Sequence, residues 1–88
     1  MKEITVRVID PVGLHARPAT VAVGAANKCA CEVAIQYNGR QINMKSIMAV
    51  MSLGIPSQAE IKIVCEGEGE EEAVKTVEDT LRGQKIIA

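Results

Sequence analysis

The 88-residue chain has almost no aromatic residues: no Trp, no Phe and a single Tyr, Tyr37. Platforms that bind single-stranded nucleic acids stack bases on aromatic faces, so that class is excluded. Charge of one sign is lacking too. Ten basic and eleven acidic residues leave a formal net charge of −1, which favours neither a nucleic-acid backbone nor an anionic membrane. No apolar run approaches the roughly 20 residues that span a bilayer, and Met1-Lys2-Glu3-Ile4 leads straight into strand-like alternation. The expectation is a cytoplasmic protein without membrane insertion. Cysteine is sparse and odd in number, so Cys29, Cys31 and Cys65 are expected as reduced thiols, with Cys29 and Cys31 as small buried or half-buried side chains in the strand leading from Cys29. With one histidine and no second Cys pair, Cys29-x-Cys31 has no partners to complete a metal site. The Walker and dinucleotide glycine patterns are both absent, so no cofactor is expected and any phosphate must come from a protein partner.

What is present is enough apolar sequence for one core, so residues 1–88 read as a single domain. Ile4, Val6 and Val8 alternate with Thr5 and Arg7 over residues 3–9, the period of a half-buried strand, and Asp10-Pro11-Val12-Gly13 breaks it as a turn. Residues 18 to about 27 carry Ala19, Ala22, Val23 and Ala26 at helical spacing. Two strands, 32–37 and 40–44, flank Asn38-Gly39, the strongest short hairpin signal. Ser46 then caps a short apolar helix ahead of Gly54, and Ile61, Ile63 and Cys65 define a fourth strand. Glu70-Glu71-Glu72 opens a final helix with Val74, Val77 and Leu81 facing inward and Gly83 as its stop. The order βαββαβα predicts an α/β (α+β) two-layer open-faced sandwich, a four-stranded antiparallel or mixed sheet covered on one side by three helices. It also fits ferredoxin-like modules followed by an extra helix, so architecture alone names no activity.

Chemistry concentrates in Gly13-Leu14-His15-Ala16-Arg17-Pro18-Ala19-Thr20. Pro18 marks a helix beginning, somewhere between His15 and Pro18, because the first helical N–H groups have no partner inside the helix. No Ser, Thr, Asp or Asn lies among residues 14–17 to cap it. The open backbone donors of Ala16 and Arg17, the positive end of the dipole and the Arg17 guanidinium favour an anion, above all a phosphate. A neutral imidazole is a nucleophile and a phosphorylated one a good leaving group, which suits His15 to carry a phosphoryl group while Arg17 steadies it in transit.

This stretch, with Asn43-Met44-Lys45-Ser46-Ile47-Met48-Ala49-Val50-Met51-Ser52-Leu53-Gly54, closely resembles the HPr family, the histidine-containing phosphocarriers of the bacterial sugar phosphotransferase system. Length, both motifs and element order match end to end. The resemblance implies a carrier rather than an enzyme: enzyme I, charged by phosphoenolpyruvate, phosphorylates His15 on Nδ1, and the group passes to sugar-specific enzyme IIA domains with Arg17 assisting. It implies a second use for Ser46. In low-GC Gram-positive relatives the matching serine is phosphorylated by HPr kinase/phosphorylase, and the modified form partners the catabolite-control transcription regulator. The resemblance also places Ile47, Met48 and Met51 in a docking face for these partners, which suits methionine's adaptability. A regulatory binding module of the same fold and a nitrogen-branch phosphocarrier are the alternatives. Nothing in the sequence requires more than a monomer. Two features depart from the family. Val12 stands where many relatives hold Ser or Asn, so the imidazole must be oriented from elsewhere, and the tail Gly83-Gln84-Lys85-Ile86-Ile87-Ala88 is basic and apolar rather than acidic.

Overall fold

A computed structural model describes residues 1–88. Seven elements follow in order: β1 (Lys2–Arg7), α1 (Ala16–Asn27), β2 (Glu32–Tyr37), β3 (Arg40–Asn43), α2 (Ile47–Met51), β4 (Glu60–Glu66) and α3 (Glu70–Gly83). The strands form one sheet in the order β1-β4-β2-β3, with every neighbouring pair antiparallel. Register follows from the period-two pattern. Ile4 lies opposite Ile63, Val6 opposite Ile61, Ile35 opposite Ile63 and Val33 opposite Cys65, so the apolar positions of three strands share one face. The helices cover that face and leave the other open, where Glu3 and Lys62 form an ion pair at 3.6 Å.

The helices pack closely because α1 is built from small residues. Ala19, Ala22, Ala25 and Ala26 are all buried, and against them lie Val77 and Leu81 of α3. The Asn38-Gly39 turn adopts positive φ at both residues, 52° and 81°, as the hairpin reading requires.

Two local expectations are corrected, the end of the first strand and the placing of Cys29 and Cys31. The first strand ends at Arg7 rather than Ile9, although Val8 makes an isolated bridge to Ile87. The α1 helix starts at Ala16, inside the expected window from His15 to Pro18, and Pro18 is its third residue; the third amide also lacks an intrahelical acceptor, which is why proline fits there. Cys29 and Cys31 precede β2 rather than lying in it. As expected, α3 ends at Gly83, and the chain then reverses at Lys85 with φ 59°. A left-handed conformation costs a non-glycine residue roughly 1–2 kcal/mol. Burying the side chains of Ile86 and Ile87, each at about 1.5–3 kcal/mol, offsets it. The tail is therefore part of the core: Ile9 donates its N–H to Ile86 O at 2.8 Å, and Ala88 donates to Arg7 O at 3.1 Å. These bonds fix the chain on the approach to residue 10.

Candidate functional site

The loop from Asp10 to Leu14 is tied down on both sides. Gly13 donates its N–H to Asp10 O at 2.9 Å, closing a turn, and Val12 donates to Asp10 Oδ1 at 3.0 Å. Leu14 donates to Ile55 O at 2.9 Å, joining this loop to the segment that leaves α2. The two backbones meet at Gly13, whose φ is 88°; a Cβ there would lie 2.5 Å from Ile55 O. Only glycine satisfies both the dihedral and the approach.

His15 follows as the N-cap residue of α1, with φ −81° and ψ −169°, and no side chain closes that helix start. Its carbonyl accepts the Ala19 N–H at 2.9 Å, so the first turn is formed while Ala16 and Arg17 bring their amides to an open end. The imidazole is 36% exposed. Its Nε2 lies 3.3 Å from Asp10 Oδ1, and the exposed Arg17 donates from Nη2 to Asp10 Oδ2 at 3.4 Å. Thr20, the last residue of the motif, donates to Ala16 O and so serves the helix backbone.

Asp10 is the residue that sequence reasoning missed. It was legible as a turn former, and it does form the turn, but its side chain is only 8% exposed and faces both His15 and Arg17. The spacing of five and seven residues to His15 and Arg17 was the available signal. It also answers the question that Val12 raises, because Val12 is exposed and the group beside the imidazole is the Asp10 carboxylate.

Ser46 is the N-cap of α2, and its Oγ accepts the Ala49 N–H at 3.3 Å. Ile47, Met48 and Met51 are exposed, Met48 by 81%, whereas Val50 and Leu53 are buried. The helix is placed by two contacts. Asn27, at the end of α1, donates from Nδ2 to Lys45 O at 3.1 Å, and Ile55 lies beyond the other end of α2, bonded to Leu14. The exit of α2 is therefore near His15, while Ser46 lies near the far end of α1, on the order of 18 Å away at 1.5 Å per helical residue. The sequence-predicted residues fall into two places: His15, Ala16 and Arg17 together at one helix start, and Ser46 at another, with Ile47, Met48 and Met51 along the surface between.

No cluster of three or more His, Cys, Asp or Glu side chains is arranged to hold a metal. No helix is long and apolar enough to cross a membrane.

Residues 2–82 match the family described as "PTS HPr component phosphorylation site". Among solved structures, the chain is similar to the histidine-containing phosphocarrier protein of Mycoplasma, with 35% identity, coverage of 98% of both chains and a TM-score of 0.94. It is similar to HPr of Thermoanaerobacter tengcongensis at 40% identity, covering 98% of this chain and 96% of that one, with a TM-score of 0.90. It also resembles Crh, the catabolite-repression protein of Bacillus subtilis, described as a dimer with a swapped domain, at 33% identity, 96% and 97% coverage and a TM-score of 0.73. The four-stranded antiparallel sheet under three helices is the fold of these phosphocarriers. A match across residues 2–82, and a fold shared along nearly the whole chain, show that it belongs to the HPr family of phosphotransferase-system phosphocarriers.

Proposed function

We propose that this chain, as one domain, accepts a phosphoryl group on Nδ1 of His15 from phospho-enzyme I and passes it to enzyme IIA domains. The observation that carries this reading is a half-exposed imidazole at a helix start closed by no side chain, with Arg17 two residues on. A phosphoryl group on His15 would meet the amide donors of Ala16 and Arg17 and the positive end of the α1 dipole. Arg17 is exposed and reaches Asp10 at 3.4 Å, so it is free to turn toward a phosphate. Phosphoryl transfer asks mainly for positioning and charge stabilisation, which these groups supply. Membership of a carrier family supports a stoichiometric intermediate rather than an enzyme; in this reading it acts as a monomer in the cytoplasm.

The exposed Ile47, Met48 and Met51 form the docking surface for enzyme I and the enzyme IIA domains in this reading. Ser46 is the regulatory site, modified by HPr kinase/phosphorylase and then read by the catabolite-control regulator. A dianion at the N-cap of α2 is favoured by the helix dipole, so modification changes the surface charge beside the methionines without unfolding the helix. Ser46 lies at the opposite end of α1 from His15, which supports regulation through partner access rather than direct contact.

Incubation with phosphoenolpyruvate, magnesium and enzyme I should add one acid-labile phosphate that His15→Ala abolishes. Labelling that survives this substitution would overturn the assignment. The likeness to Crh favours a second reading, a regulatory module acting mainly through Ser46. Phosphate taken up only from ATP through the kinase, and never from enzyme I, would decide for it. A swapped dimer in solution would replace the monomer.

A further inference from the structure

The buried Asp10 carboxylate presents a choice of chemistry to His15. Oδ1 faces ring nitrogen Nε2 at 3.3 Å, and Oδ2 is taken by Arg17 at 3.4 Å. The carboxylate is itself fixed, because Oδ1 accepts the Val12 N–H and Asp10 O closes the turn to Gly13. A neutral imidazole carries its proton on one nitrogen only, and the partner of one nitrogen decides the state of the other. A carboxylate repels a lone pair and attracts an N–H. From this juxtaposition we infer that Asp10 is a positioning residue for His15, holding the ring as the Nε2–H tautomer so that Nδ1 keeps its lone pair for phosphorus.

The inference rests on the reading of His15 as phosphoryl acceptor and gives that reading its atomic course. In acceptance, the Nδ1 lone pair forms the N–P bond as the donor's bond to phosphorus breaks, its electron pair leaving with the donor. The ring becomes a cation with phosphorus on Nδ1 and the proton still on Nε2, facing the negative charge of Asp10. In donation, the acceptor's lone pair forms the new bond to phosphorus and the N–P electron pair returns to Nδ1. The ring is then again the neutral Nε2–H form. No proton enters or leaves the ring in either direction, and the same carboxylate stabilises the cation between the two steps. Arg17, paired with Oδ2 in the free protein, is the only permanently charged side chain in contact with this carboxylate, and it is the one able to exchange Asp10 for the arriving phosphate.

The test is the ring nitrogen spectrum of the unphosphorylated protein, recorded by two-dimensional 15N–1H NMR at a pH where the imidazole is neutral. It compares the parent with Asp10→Asn and Asp10→Ala. Asp10→Asn keeps an oxygen acceptor for Val12, and the amide spectrum verifies that each variant is folded. Nearly all of the parent's neutral ring should be the Nε2–H form, and Asp10→Ala should fall back to the tautomer mixture of a solvent-exposed histidine, with Asp10→Asn between them. A parent ring protonated on Nδ1, or a tautomer ratio that Asp10→Ala leaves unchanged, would overturn the inference. The kinetic counterpart is transfer from phospho-enzyme I. Loss of one charge-assisted contact should lower kcat about tenfold or more in Asp10→Ala while KM changes little; an unchanged kcat would count against it. If the parent itself takes up no phosphate from enzyme I, the carrier reading fails, and the tautomer measurement still decides the role of Asp10.

Discussion

The starts of α1 and α2 meet the same physical demand in opposite ways. Both helices begin with amides that lack carbonyl partners, and both are led by a polar residue in extended conformation. At α2 the Ser46 hydroxyl accepts the Ala49 N–H and closes the end. At α1 the residue in that position is His15, whose ring makes no such bond and lies against Asp10 instead. A third start, α3, is led by Gly69 at φ 77° and filled by Glu70, Glu71 and Glu72, with the Glu70 carboxylate accepting the Gly67 N–H. Two helices are thus supplied with negative charge or an acceptor from their own sequence, and α1 alone is left without one, at the residue proposed to carry the phosphoryl group. On the proposed reading the difference separates stability from function: α2 and α3 use their caps to hold the fold, and α1 forgoes about 1 kcal/mol of capping to leave its end open for a phosphoryl group.

Substitutions at the two starts sharpen this contrast. The largest effect is on transfer. His15→Ser should abolish phosphorylation from enzyme I and yet leave the protein about 1 kcal/mol more stable than His15→Ala, because the new hydroxyl caps α1. Urea unfolding of both variants checks it, and equal midpoints would break the comparison. Gly13→Ala attacks the anchor on which the α1 start depends. The new Cβ would meet Ile55 O at 2.5 Å in a left-handed backbone, so a loss of about 2–4 kcal/mol is expected in the same assay. Arg17→Ala should slow transfer about tenfold or more while moving stability by less than about 1 kcal/mol, since its guanidinium is largely exposed. Ser46→Ala reverses the pattern, costing about 1 kcal/mol of stability with transfer from enzyme I nearly unchanged.

The smallest effect lies away from both starts. Burial, followed by the neighbouring sulfurs of Cys31 and Cys29, pushes the Cys65 thiol up to about 12. Its folded value lies above the unfolded one, so the neutral thiol contributes fully below about pH 9 and the contribution is lost as pH rises toward 12. Cys65→Ala should therefore flatten the alkaline limb of a stability profile, and iodoacetamide at pH 8 should leave Cys65 unmodified until the chain unfolds.

Much of the fold was legible because it is written locally. Asn38-Gly39 specifies its hairpin, Ser46 its helix and the Ile61-Ile63-Cys65 alternation its strand, each within a few residues. The strand order was not legible, since the placing of β4 between β1 and β2 rests on pairings between distant segments. The packing of the tail was not legible for a similar reason. Gly83 is the local stop and α3 ends there, but nothing local shows that Ile86 and Ile87 are then buried beside Val8 and Ile9, with Lys85 in the left-handed region. The site divides along the same line. His15, Arg17 and Ser46 stand in sequence motifs, whereas Asp10 acts through a fold in the chain that its local turn signal conceals.

The central claim is that the open start of α1 receives a phosphoryl group on His15. Its most direct test is to treat the intact protein with phosphoenolpyruvate, magnesium and enzyme I and to map the product. The prediction is one acid-labile phosphate on Nδ1 of His15, absent from His15→Ala. Phosphate on another residue, or none from enzyme I at all, would contradict it.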